Sequence, residues 1–275
     1  MPELPEVETV VRGLRSTVLN KIIKSVQVTY SKIDSDNAPG WTDILRGMQV
    51  MAVRRRGKNI LMDLSGGYTL WVHLKMTGHL YYLPADTEID KHDLVIFNLT
   101  DNGYHLRFND YRRFGRVRLF STAEIMNQKG LVELGPEPLE IGTNEFVRLF
   151  RLKKRMIKPA LLDQTMLAGL GNIYSDETLF LSRIHPQKTT DRIAPRKLSE
   201  LHGHIQAMLK KAIRLMGTSV DSYAGVNGQP GGFQKYLRVY GREGEPCFVC
   251  GTAIVRKKIG SRSAHFCPRC QRMGQ

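Results

Sequence analysis

The sequence predicts a multidomain α+β protein: an N-terminal helix joined to an antiparallel β-sandwich, then a helical region, then a metal-stapled hairpin. Three observations carry this. At 275 residues the chain exceeds a typical single domain. Its hydrophobic pattern passes from helical spacing to short alternating runs and back. Its four cysteines lie near the end, as Cys247-x-x-Cys250 and Cys267-x-x-Cys270.

Val7, Val10, Val11, Leu14 and Val18 recur at helical spacing, and Pro5, Glu6 and Glu8 suit a first helical turn, where proline's fixed φ is tolerated and carboxylates meet the positive end of the helix dipole. From about residue 21 to 120 the runs KSVQVTY, ILMDL, YTLWVHL, DLVIFNL and YHLRF alternate with Gly, Asp and Asn, which predicts a two-layer antiparallel sandwich. The stretch ELGPEPLEIGTNEF, 133–146, carries two prolines and two glycines and reads as a linker. Glu145–Leu152, Lys158–Leu167, Asn172–Ser182 and Leu198–Met216 have helical periodicity. The Gly-rich SYAGVNGQPGGFQ, 222–234, has no apolar period and predicts a mobile loop, in an enzyme often a lid. Between the cysteine pairs, TAIVRKK and RSAHF have the length of two hairpin strands, with Gly260 and Ser261 near the turn and Arg262 projecting from its tip.

A hydrophobic fraction of 41% with 24% charged residues is that of a globular protein, and no uncharged apolar stretch approaches the roughly 18 residues of a membrane helix. The start, MPELPEVETV, has no basic region followed by an apolar run, so a secretory signal is not expected and the cytoplasm is. The net charge of +15 is uneven: residues 1–150 hold 19 Lys+Arg against 18 Asp+Glu, and residues 151–275 hold 22 against 8. That asymmetry points to a polyanion, since cations that neutralise phosphates release condensed counterions.

Two Cys-x-x-Cys pairs separated by 16 residues, in a chain expected to stay in a reducing compartment, favour four-thiolate Zn²⁺ ligation over disulfides. At the other end, Pro2 follows the initiator methionine and is small enough that removal of Met1 is expected. The resulting secondary amine, with a pKa near ~8, is roughly 10% unprotonated at pH 7, far more than a free lysine. Attack of such an amine on a sugar C1′ gives an obligatorily cationic iminium that accepts electrons from C2′, so base removal leads directly to β-elimination. Glu3 beside it suits proton transfer, and Glu6 is placed to orient the terminal segment.

The opening PELPEVET, with RRRGKN at 54–59, LKMTGHL at 74–80, NDYRRFG at 109–115, LLDQTMLAGLGNIYSDETLF at 161–180, VYGREGEPC at 239–247 and SRSAHFCPRCQ at 261–271, resembles the formamidopyrimidine-DNA glycosylase family over the whole chain. The resemblance implies a bifunctional glycosylase and abasic-site lyase of base excision repair, acting on 8-oxoguanine and formamidopyrimidines with β- then δ-elimination. It implies Pro2 as nucleophile, Glu3 as proton donor, Glu6 in support and Lys58 on phosphate beside the scissile nucleotide. Met76, Arg112 and Phe114 match residues that fill the gap left by an everted base, a device any enzyme acting on a stacked base needs. AGLGNIYSDE looks like the turn of a helix-two-turn-helix module, with Asn172 capping the next helix so that its free N–H groups meet phosphate. Arg262 matches a finger arginine whose planar fork suits phosphate. His92, Arg112, Asn172 and Tyr240 match further DNA contacts, and Lys158 a lysine that handles the lesion.

The implied organisation is a catalytic domain at 1–132, a linker at 133–149, a helix-two-turn-helix domain at 150–240 with a flexible loop at 218–234, and a zinc finger at 241–275, with a basic cleft between the two main parts. One structural Zn²⁺ per chain is implied on Cys247, Cys250, Cys267 and Cys270. The expected partner is double-stranded DNA carrying oxidised bases or abasic sites, bound by a monomer that associates with the nucleoid. Ser263-Ala264 departs from the family's frequent small residue followed by threonine and removes one hydroxyl near the finger tip. The alternatives are the sister glycosylase for oxidised pyrimidines, endonuclease VIII, and a non-catalytic zinc-containing DNA-binding protein. The PELPEVE opening favours the purine enzyme.

Overall fold

The computed structural model describes residues 1–100, 103–219 and 224–274. The chain folds as two compact units, one of Met1–Val132 with Leu215–Gly232, the other of Glu133–Arg214 with Phe233–Gln275.

The first unit opens with helix α1, Leu4–Thr17, which buries Leu4, Val7, Val10, Val11 and Leu14 as the valine spacing predicts. Strands β1 (Ile23–Val28), β2 (Val50–Arg56), β3 (Asn59–Leu64), β4 (Tyr68–His73), β5 (Gly78–Pro84), β6 (Asp93–Leu99), β7 (Tyr104–Asp110) and β8 (Arg116–Ser121) form two antiparallel four-stranded sheets, ordered β1-β6-β7-β5 and β2-β3-β4-β8. Helix α1 packs on β2 and β3, and Val53, Ile60, Leu70, Val95, Phe97 and Phe108 join its valines in one core. Short helices at Ser31–Ser35 and Trp41–Leu45 cover part of that core with Ile33, Trp41 and Leu45.

The second unit contains α2 (Thr143–Arg151), α3 (Ile157–Leu162), α4 (Asn172–Leu181) and α5 (Pro195–Arg214), followed by a hairpin of β9 (Val255–Ile259) and β10 (Arg262–Phe266). Every residue from Tyr174 to Phe180 of α4 is buried, polar ones included. The hydroxyls there satisfy themselves locally: Thr178 Oγ1 donates to the Tyr174 carbonyl at 2.7 Å and Ser182 Oγ to the Thr178 carbonyl at 2.8 Å.

Three stretches differ from the sequence expectation. The helix expected from Glu145 starts at Thr143 and takes up the end of the linker expected at 133–149, because Phe146 and Phe150, one turn apart, are both buried and stack at 4.4 Å. The helix expected to run to Leu167 ends at Leu162, where Gln164 bridges the chain by donating to the Leu162 and Leu170 carbonyls and accepting from Gly169 N–H. Of the flexible loop expected at 218–234, residues 220–223 lie outside the described residues; 218–219 and 224–232 belong to the first unit, not to the helices. Buried Val226 packs beside Gly13, where a Cβ would come within 2.9 Å of it, and its carbonyl accepts Tyr82 N–H at 3.0 Å. Among the described residues no helix is long and apolar enough to cross a membrane.

Because Phe146 is fully buried between Phe150 and His202, Phe146→Ala is expected to destabilise the second unit by about 3–5 kcal/mol through lost burial and a residual cavity, read from denaturant unfolding.

Candidate active site and nucleic-acid interface

In the first unit Pro2 and Glu3 are buried at the start of α1, while Met1 is 41% exposed. Glu3 is the helix N-cap and forms a reciprocal capping box with Glu6. Glu6 Oε2 accepts Glu3 N–H at 2.8 Å, and its Oε1 accepts Thr218 N–H at 2.8 Å. One carboxylate therefore holds both the N-terminal segment and the chain returning at 215–219. Gly217 makes the second contact possible: it sits at φ +82°, and a Cβ there would stand 2.7 Å from Glu6 Oε1.

Lys58 is buried in the tight turn between β2 and β3. Arg55 ties this turn to α1, donating to Glu8 Oε2 at 3.1 Å and to the Gly57 carbonyl at 3.0 Å. Sequence reasoning missed a neighbour of Lys58. His73 accepts Lys75 N–H on Nδ1 at 2.9 Å, which leaves the neutral ring's proton on Nε2. Burial, then the charges of Lys75, Lys58 and Arg116, lower its pKa to about 3. A neutral donor among three cations is suited to an anion.

Met76, Arg112 and Phe114 lie on two loops that the β5–β7 pairing Gly78↔Asp110 sets side by side. Met76 and Phe114 are 41% and 54% exposed, unlike core residues, and the Arg112 guanidinium lies 4.9 Å from the Phe114 ring centroid. His92 is close by: its carbonyl accepts Asp110 N–H at 2.9 Å and its ring meets Tyr111 edge-on. Tyr111, also exposed, lies within the NDYRRFG stretch, whose pattern singles out only Arg112 and Phe114.

In the second unit Gly171, not Asn172, is the N-cap of α4; Asn172 is the first helical residue, and its Oδ1 is buried without a partner among the described residues. Lys158 is fully buried. Its Nζ donates to Asp176 Oδ1 at 2.6 Å and to the Asn172 carbonyl at 2.9 Å, so it braces the start of α4 from inside and is not presented to a ligand. Asp176 Oδ2 also accepts His265 N–H at 2.9 Å, which fixes β10 against α4. Glu177, fully buried, accepts the N–H groups of Arg238, Val239 and Tyr240 at 2.8 to 2.9 Å. Burial raises its pKa, opposed by those three donors. Asp176 and Glu177 lie within the DETLF stretch, where nothing in the spacing separates them from helix-surface acids.

Arg262 is exposed at the end of the β9–β10 hairpin, paired with Ile259. Ala264 is fully buried and pairs with Lys257, so the ladder continues through the position where the hydroxyl is absent. The four cysteine sulfurs lie within 4.8 Å of one another, with Cys250 at 3.5 Å from both Cys267 and Cys270, and Cys247 at 4.0 Å from Cys270. Thiolates about 2.3 Å from a tetrahedral Zn²⁺ stand roughly 3.8 Å apart, so the set fits one structural zinc. Hydrogen bonds from Thr252 hold Cys250 down to about 6, while burial pushes Cys267 and Cys270 up; four thiolates in this space need a cation.

The depressed pKa of His73 gives a pH test. Below 6.5 the unfolded chain takes up a proton that the folded site resists until about 3, so the contribution is complete above pH 6.5 and is lost as the pH falls. The unfolding midpoint is expected to drop more steeply from pH 6.5 to about 4 in the wild type than in His73→Gln, measured by thermal melts.

Three family descriptions match the chain: the formamidopyrimidine-DNA glycosylase N-terminal domain over residues 1–117, the formamidopyrimidine-DNA glycosylase H2TH domain over 134–224, and a zinc finger found in FPG and IleRS over 244–272. The formamidopyrimidine-DNA glycosylase of Pediococcus pentosaceus is 48% identical over 273 residues, 98% of this chain and 99% of that protein. Lactococcus lactis Fpg in complex with abasic-site DNA superposes with a TM-score of 0.92 at 36% identity, covering 98% of this chain and 99% of that one. MutM in complex with carbocyclic 8-oxo-G DNA does so with 0.90 at 35%, covering 98% and 100%. With the three family domains in order along one chain and relatives of this identity over its whole length, the protein belongs to the formamidopyrimidine-DNA glycosylase family of DNA-repair enzymes.

Proposed function

We propose that the chain excises oxidised purines, 8-oxoguanine and formamidopyrimidines, from double-stranded DNA and then cuts the strand, with mature Pro2 as nucleophile. The observation that carries this is the buried Pro2-Glu3 start of α1, held by Glu6 and Thr218. A nucleophile held in one place beside a carboxylate needs little reorganisation before attack. The names of the relatives and the abasic-site and 8-oxo-G DNA in the similar complexes support the substrate class.

In the proposed sequence the Pro2 nitrogen bonds to C1′ and the base departs with the glycosidic electron pair and the proton that the amine loses; Glu3 then protonates O4′ as the C1′–O4′ bond breaks, which opens the sugar ring and leaves a cationic iminium at C1′. The C1′ iminium draws electrons from C2′ as that carbon loses a proton, and the C3′–O bond breaks. A second elimination releases the 5′ phosphate, and hydrolysis of the iminium returns the amine. Lys58, His92, Asn172, Tyr240 and Arg262 supply phosphate contacts, and Met76, Arg112 and Phe114 occupy the gap left by the everted nucleotide. Lys158 braces the start of α4 through its ion pair with Asp176. Residues 1–132 with 215–232 are assigned the catalysis, 133–214 with 233–240 the helix-two-turn-helix and 241–275 the zinc finger. The enzyme works as a monomer in the cytoplasm, on nucleoid DNA.

Borohydride is expected to trap a covalent adduct on 8-oxoguanine DNA that peptide mapping locates to the N-terminus. Pro2→Gly should weaken strand cleavage strongly, and a chain that retains Met1 should trap nothing; normal trapping with Met1 intact overturns the nucleophile assignment. Excision of thymine glycol alone overturns the substrate class. Cys247→Ser or chelation is expected to abolish DNA binding, by fluorescence anisotropy, because hairpin and metal order together.

A further inference from the structure

Asp110 is fully buried at the end of β7, and both its oxygens are used. Its Oδ1 accepts the Thr77 hydroxyl at 2.5 Å and Arg112 N–H at 3.1 Å; its Oδ2 accepts Phe114 N–H at 2.8 Å and Gly115 N–H at 2.7 Å. Three of these donors belong to the loop that carries Arg112 and Phe114. The fourth, Thr77, belongs to the loop that carries Met76. A carboxylate has about four lone-pair sites, and here each is taken.

The two loops are held in backbone conformations that they do not favour alone. Lys75 and Arg113 sit at φ +53° and +58°, left-handed values that non-glycine residues rarely adopt, and each directly adjoins an exposed apolar tip, Met76 or Phe114. Gly115 lets its N–H reach the carboxylate: a Cβ there would stand 2.4 Å from Phe108 Cζ. Such a geometry persists only where the surroundings over-determine it: Asp110 supplies the bonds on either side of Arg113, and His73, which accepts Lys75 N–H, holds the other loop together with the Thr77 bond to Asp110.

We propose that Asp110 is a positioning residue that joins the two loops into one insert through Thr77, so that Met76 and Phe114 enter the duplex as a single body. The proposal rests on the reading that these side chains fill the gap behind an everted nucleotide. Fixing their relative position before binding removes an ordering cost that two independent loops would incur on insertion. Asp110 thereby acts on base eversion and leaves the chemistry at Pro2 alone.

Thr77→Val breaks only the bond between the loops and keeps side-chain volume. Its single-turnover excision of 8-oxoguanine paired with cytosine is expected to fall about tenfold, while Thr77→Ser stays within about twofold of wild type. Cleavage of a preformed abasic site in single-stranded DNA, which needs no eversion from a stack, should remain within about twofold of wild type for both. Asp110→Asn, checked for folding by thermal melting, should show the same selective loss, and larger. In the wild-type background Met76→Ala and Phe114→Ala should combine non-additively on the duplex, and in the Thr77→Val background additively. A folded Thr77→Val chain that excises from the duplex at the wild-type rate, or loses equally on both substrates, overturns the coupling while the gap-filling reading stands. If Met76→Ala and Phe114→Ala leave duplex excision unchanged, the gap-filling reading fails and the proposal falls with it.

Discussion

A carboxylate withdrawn from water must find donors, and in this protein the donors to Glu6, Asp110, Asp176 and Glu177 are mostly backbone N–H groups, several of them from segments distant in the chain. Glu6 gathers the N–H groups of Glu3 and Thr218; Glu177 gathers those of residues 238–240; Asp110 and Asp176 each join two elements. A hydrogen bond to a charged group contributes about 1.5–3 kcal/mol, but removing the charge from water costs several. The net gain in stability is therefore small. What the arrangement supplies is a defined position for each segment it touches.

Those segments carry the functional residues. Pro2 and Glu3 precede Glu6, Met76 and Phe114 flank the donors to Asp110, Tyr240 is itself a donor to Glu177, and β10, which starts at Arg262, is anchored through His265 to Asp176. The side chains offered to a ligand need not be held individually. Their backbones are, and the exposed tips project from fixed loops. The hairpin has the same logic with a different element: two short strands bury too little apolar surface to stand alone, and four cysteines around one zinc supply the remainder.

Much of the fold was legible because it rests on local period. The valines of α1, the alternating runs of the sandwich and the cysteine spacing each report a buried face or a ligand set within one short window. Where a feature depended on a distant partner, the same reading failed. The period of Glu145–Leu152 marks a helix, but that it takes up the end of the Pro/Gly linker follows from the burial of Phe146 between Phe150 and His202. Val226 sits in a stretch with no period of its own, yet Gly13 and Tyr82 hold it. Lys158, among the cations of a basic region, is an internal brace.

By itself the sequence determined the chemistry available: a secondary amine once Met1 is gone, a proton-bearing neighbour, four thiols at metal spacing and an excess of cations in the second part. These are properties of residue type and spacing, and they survive without coordinates. Only the tertiary structure decided which charges are tools and which are ties. Asp110, Asp176 and Glu177 are ordinary acids in the string of letters, and even Glu6, placed there to orient the terminal segment, gives no sign of its hold on Thr218. Their role follows from which N–H groups a folded chain brings within 3 Å or so of a buried oxygen, and that is set by contacts between segments as much as 212 residues apart.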